Sequence, residues 1–366
     1  MCHKIARRKK FAPSPDFKKI SMDIGTQGLA SLVVARALVP RAGWRAWAVI
    51  VVAGTIANVD FFSSMVSPGA YLAWHRTYLH SIFAFVVVGV SLGGAYWFGS
   101  RGKADARASW GAAMLRPYTV AALFGAVMSA GLLHLALDSA QSAGTMIFWP
   151  LSRQRVALDW LPRVDPWIIA ILLAALLLPE LTRLVTDEIG VKARGARGRI
   201  GAILGLVVLA LYVGMRADLH GNAIATLQGR GYDTGQPHRV AAFADAASPF
   251  IWHGIVETER ALHEPDVSIF TSSQFDADNG DTLFKPEPSA MLALAQNTRA
   301  AKAFLAVARF PKADIEKRTD GYEVGIRDLS YAAAGERKQV LVRVVVDANG
   351  RVLNDELVWE RNGVRR

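Results

Sequence analysis

Cysteine is almost missing from this chain. Cys2 is the only one in 366 residues. That excludes an internal disulfide, a CxxC motif and a Cys/His zinc finger, and leaves no candidate cysteine nucleophile. No GxSxG elbow is present either, so Ser81, although close in sequence to His80, lacks the turn that exposes a nucleophilic serine. Residues 1–21 lack the apolar core of a signal peptide. No internal repeat and no pair of interrupted helices is visible, which counts against a transporter. Charge itself is missing over long stretches. Residues 117–137 hold no Asp, Glu, Lys or Arg across 21 positions, 81–100 none across 20, 200–215 none across 16, and 166–179 none across 14. A water-soluble protein of this length does not gather its apolar residues into such runs.

About 20 apolar residues cross a bilayer, and flanking residues extend a shorter core. The runs predict spans at about 81–99, 117–138, 165–185 and 199–217, with a shorter fifth at 46–59. Residues 31–40 are too short to cross alone and carry Arg36. They read as a re-entrant or interfacial helix, or as the core of a tilted sixth span. The fold class expected is an all-α polytopic membrane domain of about five to six spans followed by a small soluble α+β domain. The boundaries are a basic extension at 1–21, a membrane domain at 22–218 and a soluble domain at 219–366.

The formal charge of +11 would fit a nucleic-acid binder, but its placement does not, and no nucleic-acid partner is expected. Arg101, Lys103, Arg107 and Arg116 fill one short loop, and Lys192, Arg194, Arg197 and Arg199 another. Basic loops between spans mark the cytoplasmic side. Residues 60–80, 139–165 and everything after about 218 then face outward, with the lipid bilayer as the first partner. The basic cluster from Lys4 to Lys19 fits less well if 31–40 crosses, and a start at Met22 would remove it.

Residues 221–366 contain 18 Lys+Arg and 20 Asp+Glu, with no span-length apolar run. Residues 289–308 read as a helix, 322–331, 340–346 and 351–359 as strands, and Asp347-Ala-Asn349-Gly350 as a hairpin turn whose Asn-Gly favours positive φ. Residues 221–287 read as loop-rich. The acidic run Asp276, Asp278, Asn279 and Asp281 lacks calcium-loop spacing and reads as a solvated turn.

The chemistry lies where ionisable residues meet apolar runs, since a charge near the hydrocarbon core costs about 2.5–3.5 kcal/mol on insertion scales. Asp60 closes one run and His80 opens the next; His134 and Asp138 end a third. His134 and Asp138, four apart on a helix, share a face. They offer either two ligands to one metal or a structural His–Asp hydrogen bond. His75 and His80, five apart, converge only if a loop or helix start separates them. Arg76 is either an anion clamp or an interfacial residue. All of these fall on the side that the Lys/Arg loops place outward. Imidazole and carboxylate together suit zinc or another divalent transition metal. His220, His238, His253 and His263 lack ligand spacing.

At these clusters the sequence resembles the YdjM-like family of inner-membrane metal-dependent hydrolases. The matching pieces run in order: Met22-Asp23-Ile-Gly-Thr26-Gln27-Gly28, Ala57-Asn58-Val59-Asp60, His75-Arg76-x-x-x-His80-Ser81, His134-x-x-x-Asp138, Gly144 with Trp149-Pro150-Leu151, and Val164-Asp165-Pro166. The resemblance covers about 22–185. It departs at Asn58 and Leu79, where the family carries Asp and Thr, and Gln27 stands where some relatives have His. It implies a multi-pass protein of the bacterial inner (cytoplasmic) membrane, with its C-terminal domain extracytoplasmic. It implies a divalent metal, zinc by donor type, held by Asp60, His75, His80, His134 and Asp138. Asp60, His134, Asp138 and Arg76 would take part in catalysis, and Gln27, Asn58, Ser81 and Asp165 would support them. The substrate implied is a small molecule or lipid, a phosphoester or lipid-linked compound at the outer face. The alternative is a non-catalytic scaffold or regulator that binds a partner through its C-terminal domain.

Overall fold

The computed structural model describes residues 17–101, 117–188, 198–269 and 280–361. The basic residues 1–16, most of the two Lys/Arg-rich loops, and Asp276, Asp278 and Asn279 of the acidic turn lie outside the described residues.

Each apolar run becomes a helix, and several start at proline or behind a capping side chain. In order the elements are α1 (Phe17–Leu38), α2 (Gly43–Thr55), a 3-10 turn (Ile56–Phe62), α3 (Ser63–Val66), α4 (Pro68–Trp74), α5 (Ile82–Arg101), α6 (Pro117–Ser139), α7 (Pro166–Glu188) and α8 (Arg199–Gln228). Proline at the first helical position costs nothing, because its missing N–H would have no partner there. Asp165 caps α7, its Oδ1 accepting from the Trp167 and Ile168 N–H groups at 2.9 and 3.2 Å. Ser67 and Ser81 do the same for α4 and α5.

Among the described residues, four stretches are long and apolar enough to cross a membrane: Gly43–Val66, Ala121–Ser139, Pro166–Arg183 and Arg199–Gln228. Two shorter apolar helices, Ile24–Leu38 and Ile82–Ala95, accompany them. The segment expected at 46–59 is thus longer than its hydropathy indicated, because α2, the 3-10 turn and α3 run end to end. The segment at 31–40 is not a separate short helix. It belongs to α1, which runs through the bundle centre with Val33, Ala35 and Ala37 buried against α2, α6, α7 and α8. Its Arg36 pairs with Glu180 of α7 and also donates to the Leu176 carbonyl at 3.0 Å. That neutralises a charge which would otherwise be costly among apolar helices.

The C-terminal region forms two four-stranded antiparallel sheets, each in simple sequence order. The first comprises β1 (Arg239–Ala244), β2 (Ile251–Glu257), β3 (Ala261–Ser268) and β4 (Gly280–Phe284). It replaces the loop-rich stretch expected at 221–287; β1 with its three Ala, β3 with Pro265 and β4 with Gly280 are short and carry few β-formers, and β2 alone has a strand-like composition. Asp281 is part of β4, paired with Glu264. The helix expected at 289–308 is two, α9 (Ala290–Gln296) and α10 (Arg299–Leu305), because Thr298 caps the second. The second sheet comprises β5 (Pro311–Arg318), β6 (Gly321–Asp328), β7 (Lys338–Asp347) and β8 (Val352–Arg361), with α11 (Leu329–Ala333) after β6. The strand expected at 322–331 stops at Asp328, whose carboxylate accepts from the Arg309, Phe310 and Ser330 N–H groups. In the β7–β8 turn only Gly350 takes positive φ. Asn349 does not, because the Asp347 carboxylate folds the turn by accepting from the N–H groups of Asn349 and Arg351.

Two attachments hold these sheets to the helices. The last turns of α8 bury Leu219, Ala223 and Leu227 against Trp252, Val256 and Val267 of the first sheet. At the second sheet, Arg309 grips Asp159 with both guanidinium nitrogens at 2.7 and 2.6 Å and reaches the Ser142 carbonyl at 3.2 Å. The Arg163–Glu336 pair at 2.8 Å and the Tyr71–Trp359 ring contact at 5.2 Å add to it.

Candidate metal centre

His134 and Asp138 project from one face of α6, one turn apart. His80 reaches them from the turn between α4 and α5, where α4 ends at Trp74 and α5 begins at Ile82. This break brings His75 and His80 to one carboxylate: His75 Nδ1 lies 3.1 Å from Asp60 Oδ1, and His80 Nδ1 lies 3.0 Å from Asp60 Oδ2. The turn is fixed by Arg76, which takes φ +55°, a strained backbone for a side chain of its size. Its N–H donates to Asp60 Oδ2 at 2.7 Å. Arg76 is only 2 % exposed, so it is not a lipid-facing interfacial residue. Its guanidinium donates to Gln141 Oε1 at 2.7 Å and lies 3.6 Å from Asp138 Oδ1.

His80, His134 and Asp138 each offer a ligand atom within 4.8 Å of the others, and all three are buried. Asp138 Oδ2 is 3.2 Å from His80 Nε2 and 3.2 Å from His134 Nε2. Yet His80 Nε2, His134 Nε2 and Asp138 Oδ2 make no hydrogen bond among the described residues. The atoms are close, but not aimed along donor–acceptor lines. Donors around a tetrahedral zinc, with bonds of about 2.0–2.1 Å, stand roughly 3.3–3.5 Å apart, so this trio has the spacing of ligands.

The tautomer of His134 agrees with that chemistry. His134 Nδ1 is 2.7 Å from the Gly54 carbonyl. A carbonyl only accepts, so Nδ1 carries the proton and Nε2 presents its lone pair to the cluster. His80 has a carboxylate at each ring nitrogen, and a neutral imidazole donates to only one. Burial opposes its charged form, but Asp138 and Asp60 outweigh burial and lift its pKa to about 9. For His75 burial dominates, and its pKa falls despite Asp60.

The other expected residues take different places. Gln27 Nε2 donates to Asp138 Oδ1 at 3.0 Å. Asn58 is buried, and its Nδ2 has no partner among the described residues. Ser81 caps α5 and accepts nothing from the cluster in doing so. Asp165 is engaged with the start of α7 and with the Tyr212 hydroxyl at 2.8 Å, rather than with a ligand. Asp60 lies behind His80, and His75 behind Asp60. In the first sheet His253 bridges Asp266 and Asp245 at 2.7 and 3.4 Å, away from this site. Two contributors escaped sequence reasoning. Gly54 acts through its backbone, and Gln141 is a neutral amide just past the end of α6. Neither leaves a charge signal.

Beside the cluster lies a cavity of about 1170 Å³ between the helices and the second sheet. His75, Arg76 and Gln141 form part of its wall; His80, His134 and Asp138 do not.

Apolar helices long enough to cross a bilayer, with a sealed imidazole–carboxylate cluster at the end of one, define a multi-pass membrane protein with a candidate metal centre. The chain belongs to the YdjM inner membrane protein family, whose model matches residues 22–222. That stretch holds the whole cluster and ends inside α8, before the first sheet. No curated protein and no solved structure matches the chain.

Proposed function

We propose that this protein is an integral-membrane, metal-dependent hydrolase acting on a phosphoester or lipid-linked substrate at the outer face of the inner membrane. The observation that carries the reading is the trio of buried ligand atoms, His80 Nε2, His134 Nε2 and Asp138 Oδ2, converging without hydrogen bonds. Three protein ligands leave a further position open, the pattern of catalytic rather than structural zinc. A divalent ion held there, zinc by its donors, supplies Lewis acidity and acidifies water.

The remaining roles belong to the chain. Gly54 fixes the tautomer of His134, and Asp60 orients His80. Gln27 and Arg76 hold Asp138. Arg76 also reaches the cavity wall and offsets developing negative charge. His75, on that wall with Nδ1 on Asp60, is the group set to take a proton. In this reading all six apolar helices cross, and the turn carrying the exposed Arg41 and Arg45 joins the basic loops on the cytoplasmic side.

A second reading, a non-catalytic scaffold or regulator, draws on two observations. The three ligands are at most 1 % exposed, and Asn58 stands where the family carries an acid.

Elemental analysis of detergent-purified protein tests the centre. Wild type and His238→Ala should hold metal at similar stoichiometry, and His134→Ala and Asp138→Asn should lose most of it together with thermal stability. Normal metal content in both variants would leave the His–Asp pair a structural hydrogen bond. Metal without phosphoesterase turnover would favour the scaffold.

A further inference from the structure

The large cavity has an unequal lining. Eight arginine or lysine residues border it against three acidic ones. Three of these cations meet a carboxylate at short range: Arg309 at Asp159, Arg163 at Glu336 and Arg343 at Glu323. Arg155 does not. It donates one hydrogen bond, from Nη2 to the His75 carbonyl at 3.1 Å. Its Nε is buried without a partner, and it has no carboxylate partner among the described residues. A guanidinium carries five donors, and burying it without an anion is costly. Burial depresses its pKa, against the pull of Tyr331 and Tyr71, the two phenols it faces across the cavity. Burial also raises the pKa of both, Tyr71 to about 12, so each stays a hydroxyl donor. A guanidinium and two phenols line the cavity beside His75 and Arg76, while the neighbouring Asp328 and Glu336 are engaged by the Arg309 and Phe310 N–H groups and by Arg163; together they describe an anion site.

The cavity also has an apolar side, which Phe61 joins to Tyr71 and His75 with ring centroids 6.3 and 5.9 Å apart. Phe61, Met65 and Val66 line it, and Met65 and Val66 are 50 % and 78 % exposed at the very end of the span Gly43–Val66. Leu72 and Trp359 continue the apolar wall inward. The cavity therefore joins exposed apolar residues at the end of a span to a wall rich in cations.

We propose that this cavity binds a phosphate-bearing amphiphile, its phosphate held by Arg155, Tyr71 and Tyr331 and its chain lying along Phe61, Met65 and Val66. The β8 and α11 side of the pocket makes the second sheet part of the binding site rather than an appendage. This deepens the hydrolase reading and rests on it only for calling the ligand a substrate. The binding stands without the metal.

The test uses detergent-purified full-length protein stripped with chelator. Its unfolding temperature is titrated with short-chain phosphatidic acid, the matching diacylglycerol, and inorganic phosphate. Phosphatidic acid alone should stabilise saturably. Arg155→Ala should weaken that response at least about tenfold, as loss of charged hydrogen bonds does. Tyr331→Phe should weaken it less, and Arg260→Ala, on the first sheet, should not change it. An equal response to diacylglycerol would mean chains in the detergent belt, and an equal response to inorganic phosphate would mean a phosphate site only; either overturns the proposal. So does undiminished affinity in Arg155→Ala, or in Tyr331→Phe should Arg155→Ala fail to accumulate. Because the protein is metal-free, failure here leaves the metal measurements on His134→Ala untouched, and failure of those leaves this result standing.

Discussion

His80 stands between two carboxylates that do different work. Asp138 shares the trio, while Asp60 bonds His75 and the Arg76 N–H and lies 3.0 Å from His80 Nδ1. Asp60→Asn keeps the shape and removes the charge that polarises His80. Loss of such a supporting carboxylate lowers metal affinity about 10–100-fold, whereas His80→Ala removes a ligand outright. Competition against a chromophoric chelator should rank them wild type, Asp60→Asn, His80→Ala; equal affinity in wild type and Asp60→Asn would put Asp60 outside the centre. Sequence alone singled out all four residues, because an ionisable group at the edge of an apolar run stands out. It could not rank them, since what separates Asp60 from Asp138 is which side of an imidazole each occupies. Nor could it find Gly54 or Gln141, whose contributions are a carbonyl and a neutral amide.

Among elements, the α1–α2 crossing is the tightest point near the site. A Cβ on Gly54 would overlap Ser31 Oγ, which is itself fixed by its bond to the Gln27 carbonyl at 2.8 Å. Small residues allow such close approach between membrane helices. Gly54→Ala should push α1 from α2, lower stability by about 1–3 kcal/mol as overpacking does, and shift the carbonyl that holds His134, so bound metal falls too. Gly214→Ala in α8, where nothing lies within 4 Å of the added methyl, should leave both properties near wild type. Thermal unfolding with metal analysis on both variants decides it, and equal behaviour would deny the crossing any role. Long apolar runs made α5 to α8 legible before any coordinates. The first sheet was not legible: Arg239–Ala244 and Ala261–Ser268 are short, and their pairing is set by contact with α8 rather than by local pattern. The paired helices α9 and α10 were merged because Thr298 interrupts an apolar spacing that continues across it.

At the scale of the molecule, the cluster, the cavity and both sheets gather at one end of the helices, and Arg36 with Glu180 lies nearer the other. If the basic loops are cytoplasmic, that gathered end is outside. Alkaline phosphatase fused after Arg361 should then be active, and a fluorescent reporter that matures only in the cytoplasm should be dark there; the reverse pattern would turn the site inward.

Helix α8 has 30 residues, about 45 Å at 1.5 Å per residue. The hydrocarbon layer is about 30 Å thick, so roughly three turns stand clear of it, and these are the turns that carry the first sheet. The helix is a rod with one end in lipid and a load on the other. A thinner bilayer is met by tilting such a rod, and tilt at its base becomes sideways travel at its tip. The second sheet is joined to the first, Phe243 and Ile255 sharing a buried core with Phe310, Leu329 and Ala333, and is also held through Arg309 to Asp159. Membrane thickness therefore acts as a lever on both sheets together, working against the grip of Arg309 on Asp159.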